Sequence, residues 1–244
     1  MELKARITPG AEVRAIPEGW RLSIPAGAAK RYRLAELDNC TRVARRSFPH
    51  RSVDMQLRAR VSSSSVPGTW GFGVWNDPYR INVGPGETLL NALALPNAAW
   101  FFFSSEHSYL SFRDDKPGQG FLAQTFRART ASLTQLAAIG AVFPLSRVRA
   151  RRRLSRLIDE DGVRLDLDVM QWHTYGMKWT PGQVRFQVDG AIVLETDISP
   201  QAPLGTVIWI DNQYAAFTPR GRVGFGVLKN PAAWLEIEDL KLEG

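Results

Sequence analysis

The side chains in this sequence that could do chemistry are a few acids, one acid–histidine neighbour pair and a set of tryptophans. Glu106 stands next to His107, and a carboxyl beside an imidazole is a minimal general acid–base unit. Adjacent residues on a strand point to opposite faces, so the two would serve one ligand only across a bulge. Glu106 therefore reads either as a solvated strand end or as a lone acid/base, and it is the only acid offered for catalysis. Asp211 and Gln213 lie two and four residues beyond Trp209, and Asn76 and Asp77 follow Trp75 directly. Each group places hydrogen-bonding side chains beside an indole. Indole faces stack on sugar rings and on other flat apolar ligands. An apolar pocket with a few convergent polar groups is the usual form of a small-molecule site. The ligand-binding candidates are Trp70, Trp75, Asp77, Trp100, His173, Trp209, Asp211 and Gln213, although for any single tryptophan core packing between the sheets is the first reading, and for His173 a structural place in a strand.

Other chemistries lack their residues. Three scattered histidines and one cysteine give no metal-ligand spacing, so neither a metal nor a cofactor is expected. There is no Gly-x-Ser-x-Gly elbow and no phosphate-binding glycine loop. The single cysteine, Cys40, excludes an intramolecular disulfide.

The elements that must position these groups read as strands. In Trp172–Thr196, Thr180-Pro181-Gly182 and Asp189-Gly190 mark two tight turns, because proline presets φ and Asp-Gly accepts positive φ. Val184, Phe186 and Val188 alternate with Gln183, Arg185 and Gln187, the period of a strand with one buried face. Val53–Val61 alternates as cleanly. Gly71 and Gly73 alternate with Trp70, Phe72 and Val74, which predicts that something packs closely against the glycine face. Further strands are expected at 20–24, 32–37, 89–95, 100–104, 107–112, 120–127, 205–214, 221–228 and 233–242. From about 130 to 160 the apolar spacing becomes helical, predicting two short helices parted by Pro144. The second is rich in arginine, and its stripe of Leu154, Leu157 and Ile158 suggests a lid or a homodimer contact.

The 244 residues suit one β-sandwich domain spanning the chain, with an apolar fraction of 44 %. The net charge of +7 is carried mostly by arginine, six of the 31 basic residues being lysine. No aromatic interleaving accompanies the arginines, so no nucleic-acid partner is expected. No run approaches the roughly 18 apolar residues of a membrane span. The N-terminus lacks a signal-peptide pattern, which predicts a cytoplasmic protein and weighs against a secreted polysaccharide-degrading enzyme.

The segment Trp172-His173-x-Tyr175-x-x-x-Trp179-Thr180-Pro181…Val188-Asp189-Gly190 resembles the corresponding block of the concanavalin A-like superfamily. It is most similar to that of the family 16 glycoside hydrolases, the laminarinase- and lichenase-like enzymes. The resemblance implies an all-β jelly-roll sandwich of two antiparallel sheets, with the short helical insertion added. It also implies a concave cleft for carbohydrate. The family draws its acids from one strand of pattern Glu-x-Asp-x-(x)-Glu, whereas residues 96–108 supply one acid and many aromatics. The expectation is a non-catalytic or diverged relative that binds a carbohydrate or another small organic ligand in an aromatic-lined cleft. The alternative is an active hydrolase of a β-glucan-type substrate that uses other acids.

Overall fold

The computed structural model describes residues 2–40, 43–78, 95–129, 141–142 and 144–244. Two antiparallel sheets pack face to face. The first runs in the order β1 (Lys4–Ile7), β4 (Leu34–Asp38), β13 (Gly205–Asp211), β6 (Thr69–Trp75), β7 (Ala98–Ser104), β8 (Gly120–Ala128) and β9 (Ile158–Arg164). The second runs β12 (Ala191–Thr196), β11 (Gln183–Val188), β10 (His173–Thr180), β5 (Val53–Val61), β16 (Ala233–Glu243), β3 (Gly19–Ile24) and β2 (Glu12–Ile16). A separate hairpin joins β14 (Gln213–Phe217) to β15 (Val223–Val227).

The period-two patterns set the two faces. Tyr175, Met177 and Trp179 of β10 and Val53 to Val61 of β5 bury alternate side chains between the sheets. They meet Trp70, Phe72, Phe101 and Phe121 of the first sheet. Phe101 lies 5.0 Å from Tyr175 and 5.2 Å from Phe186 in edge-on contacts, and Trp70 stacks on Phe121 at 4.7 Å. Burying one such side chain contributes on the order of 2–3 kcal/mol. Both predicted hairpin turns form. Asp189 and Gly190 take φ of 50° and 82°, as a mirror-type turn requires.

Several expectations need correction. Ile158 opens strand β9 and does not extend the helix, which spans Arg147–Leu154 (α1). Of the first predicted helix, from about 130 to Pro144, only 141–142 lie among the described residues, and these are helical; most of the strand expected at 89–95 lies outside them. Residues 107–112 form a loop with an isolated bridge between Tyr109 and Ala216. The strand expected at 205–214 breaks at Asn212. The Asn212 side chain accepts from Arg33 N and donates to Arg31 O and Leu228 O, which peels the chain off the sheet into β14.

Candidate functional site

The outer face of the first sheet carries the aromatic cluster. Register places Glu36 opposite Trp209, Trp209 opposite Gly71, and Gly71 opposite Phe102, with Gly73 opposite Trp100. The glycines make room for the rings. A Cβ on Gly71 would lie 2.9 Å from the Trp209 indole, and one on Gly73 would lie 2.6 Å from Trp100 Cβ. Trp209 lies parallel to Trp75 within 5°, with centroids 6.4 Å apart, and Trp100 tilts against it at 5.7 Å. The centre of this face is closed. Leu95, Leu110, Phe112 and Leu154 of α1 pack on the cluster, leaving Trp100 5 % and Trp209 8 % exposed. Trp75, at the end of β6, remains half-buried.

The acids gather at the edge beside Trp75. Glu36 and Asp38 alternate along β4 and share this face. Burial pushes the Glu36 carboxyl up to about 8, against the pull of Arg6 at 3.4 Å. The nearby carboxylates of Asp38 and Asp77, and a hydrogen bond with Asp38, push it further in the same direction. Asp77 itself has φ of 46°, and its carbonyl and that of Asn76 accept from the Arg45 guanidinium at 2.6 and 2.8 Å. This clamp holds the end of β6 and its loop against the acid pair. In the sequence the only mark of this pair is the spacing Glu36-x-Asp38 within an alternating segment.

Asp211 is a structural pin. Its Oδ1 accepts from Thr69 N, Thr69 Oγ1 and Gln213 N at 3.1, 2.8 and 3.1 Å, and Tyr32 donates to Oδ2 at 3.2 Å. Thr69 Oγ1 accepts from Trp209 Nε1 at 3.0 Å, so one hydroxyl joins the indole to the carboxylate. Burial raises the Asp211 carboxyl to about 6, and these donors pull it back. Gln213, held by its N–H, starts the β14 hairpin.

Three candidates stand apart from this corner. Trp70 is 1 % exposed in the core between the sheets, on the opposite face of β6. His173 belongs to the second sheet, between the Asp189 carboxylate at 2.7 Å and the Asp168 carbonyl at 3.1 Å. Glu106 lies in the turn after β7 with its side chain 89 % exposed. Because this is a turn and not a strand, its carboxylate comes within 3.9 Å of His107 Nδ1, where opposite faces were expected. A further buried carboxyl, Glu160 on β9, accepts from Phe112 N and Gln124 Nε2. It sits five strands from β4, roughly 24 Å away, too far to share a bond with Glu36.

No protein-family model matches the chain, and no curated protein matches it in sequence. Solved structures do. The chain superposes on LamA from Z. galactanivorans in complex with laminaritriose and laminaritetraose, with a TM-score of 0.56 at 10 % identity. That match covers 99 % of this chain and 91 % of that one. LamAcat from Zobellia galactanivorans gives a TM-score of 0.53 at 11 % identity, over 95 % and 80 %. The fold is a concanavalin A-like jelly roll. Within this concanavalin A-like frame, β7 presents Ala98, Trp100, Phe102 and Ser104 to the outer face, and no carboxylate. The acids beside Trp75 come from β4 and from the loop after β6, while Asp211 of β13 is linked to Trp209 through Thr69 and Glu160 of β9 to Trp100 through Gln124. Among the described residues no three His, Cys, Asp or Glu side chains are grouped to hold a metal. No helix there is long and apolar enough to cross a membrane.

Proposed function

We propose that the protein binds a carbohydrate at the Trp75–Glu36 corner of the first sheet, as a diverged, non-hydrolysing relative of the glucanases that share its fold. The observation that carries this reading is the half-buried Trp75 lying parallel on Trp209 beside three carboxyl side chains. An indole face offers a platform for a sugar ring, and carboxylates accept from its hydroxyls. Glu36, protonated at neutral pH, donates to Asp38 and so holds the acid pair together beneath this edge. The complex of LamA with laminaritriose and laminaritetraose supports the ligand class. The aromatic content of β7, where acids would serve hydrolysis, supports binding over cleavage.

The test is titration with laminaritetraose, followed by calorimetry and tryptophan fluorescence, with product analysis for new reducing ends. Trp75→Ala should weaken binding by about tenfold or more, the scale of losing one stacking contact. Unchanged affinity removes the site from this corner. The second reading is an active hydrolase, favoured by the protonated Glu36 hydrogen-bonded to Asp38, the acid and carboxylate composition that glycosidases use. Reducing ends that disappear in Glu36→Gln would select it.

A further inference from the structure

The outer face of the second sheet carries a groove unrelated to the tryptophan corner. At its centre Gly176 of β10 stands directly between Gln56 of β5 and Gln187 of β11. A cavity of about 180 Å³ opens over the missing side chain. A second, of about 280 Å³, continues it past Thr174 toward β16. There the β16 register slips between Glu238 and Lys241, with Asp239 held at a φ of 53°. A bulge of this kind bends the strand locally and re-aims its side chains.

Two features show that the groove is not a by-product of folding. Gly176 has no conformational reason to be glycine: its φ is not in the left-handed region, and an added Cβ would meet only the Gln187 side chain, at 3.4 and 3.5 Å. Glycine inside a strand is costly, so leaving the notch open works against stability. The polar groups are also sorted. Three of the four cations lining the two cavities are paired with the protein's own carboxylates, Lys178 with Asp54 at 3.7 Å, Arg185 with Glu195 at 2.5 Å and Arg58 with Glu238 at 3.2 Å, whereas Lys241 at the β16 end has no ion pair among the described residues. The amides of Gln56 and Gln187 and the hydroxyl of Thr174 have no side-chain hydrogen-bond partner among the described residues. At the Thr174 end lies Trp172, half-buried, with the Arg58 and Arg60 guanidinium groups 5.1 and 4.7 Å from its ring. Two amides, each able to donate and to accept, and a hydroxyl match the vicinal hydroxyls of a neutral sugar chain. Along the first cavity, where both cations are already paired, a charged ligand has little to gain, and the lone Lys241 lies at the far end of the second.

We infer that this groove is a second binding site, for a neutral oligosaccharide, with Gly176 kept small to seat it between Gln56 and Gln187. This goes beyond the first-sheet reading and does not depend on it.

The decisive variant is Gly176→Val, which fills the notch with a better strand former and should leave the melting temperature equal or higher. Binding is measured against laminaritetraose, cellotetraose and mannotetraose, with a heparin-derived tetrasaccharide as the anionic arm, in wild type, Gly176→Val and Trp75→Ala. The expected result is a neutral-glycan site that Gly176→Val weakens by about tenfold or more, the scale of one or two lost hydrogen bonds. Trp75→Ala should leave that site in place. Gln56→Ala combined with Gln187→Ala should reproduce the loss. A folded Gly176→Val protein that keeps wild-type stoichiometry and affinity overturns the proposal. So does binding of the anionic probe alone, or no binding of any neutral glycan to wild type. Loss of all binding in Trp75→Ala with none in Gly176→Val would leave the first-sheet site standing and remove this one.

Discussion

Trp209 on β13 and Glu36 on β4 are direct cross-strand partners, so a buried carboxyl and a buried indole share the same patch of sheet. This neighbour explains why Glu36 holds its proton. One wall is aromatic, Asp38 and Asp77 add negative charge nearby, and the Arg6 guanidinium that opposes them is half exposed. Solvent screens that ion pair, and desolvation prevails.

The first prediction is a pH slope in stability. The folded Glu36 carboxyl titrates near 8, against an ordinary value near 4.5. Between those values the folded state keeps a proton that the unfolded chain has lost. Glu36 therefore makes the protein progressively less stable as pH rises through this window. Glu36→Gln mimics the neutral form and should remove that slope. Urea melts at pH 5 and pH 8.5 check it. The variant should lose less stability than wild type between the two, and parallel losses would mean that Glu36 ionises normally.

The second prediction separates support from contact. By its place beside Trp209 in the sequence Asp211 is a ligand-binding candidate, but its carboxylate is occupied by Thr69, Gln213 and Tyr32. Asp211→Ala leaves several buried donors without acceptors and should cost about 3–5 kcal/mol. Thr69→Val keeps the volume but cuts both the carboxylate and Trp209 Nε1 links, and should cost about 1–3 kcal/mol. Thermal and urea melts decide. An Asp211→Ala protein as stable as wild type would show that the network contributes nothing and would return Asp211 to the ligand candidates.

The sandwich was legible in the sequence because period-two alternation and turn residues are local signals. Val53–Val61 and Gln183–Val188 bury the alternate residues expected. The alternate glycines of β6 likewise marked a crowded face, and the rings found there are Trp209 and Trp100. What was not legible depends on which of two faces a residue meets. Trp70 and Trp75 differ by an odd number of positions on one strand, and only the packing of the second sheet tells the core face from the outer one. The break at Asn212 was hidden because its cause is three hydrogen bonds to segments far away in the chain. Glu36 is inconspicuous in the sequence because burial, not residue type, makes it unusual.

The last prediction concerns the arginine-rich helix α1. Its arginines look alike in sequence, yet they fall into two kinds. Arg147, Arg149 and Arg152 are exposed, whereas Arg151 is 2 % exposed. The Arg151 guanidinium donates to the carbonyls of Ser111, Arg113 and Phe217, all near 3.0 Å, and pairs with Asp114. It therefore ties α1 to the 109–114 loop and to β14, while Leu154, one turn later, presses on the aromatic cluster. Arg151→Leu would leave three carbonyls without their donor and should cost roughly 3 kcal/mol, most of it from unsatisfied acceptors and little from the solvent-facing Asp114. Arg152→Leu, on the exposed side, should stay within about 0.5 kcal/mol of wild type. Thermal melts compare the pair, and limited proteolysis reports whether α1 has come away from the first sheet. Faster cleavage within 147–154 in Arg151→Leu alone is the expected outcome. Equal behaviour of the two variants would mean that Leu154 and its apolar neighbours hold the helix without help from the buried guanidinium.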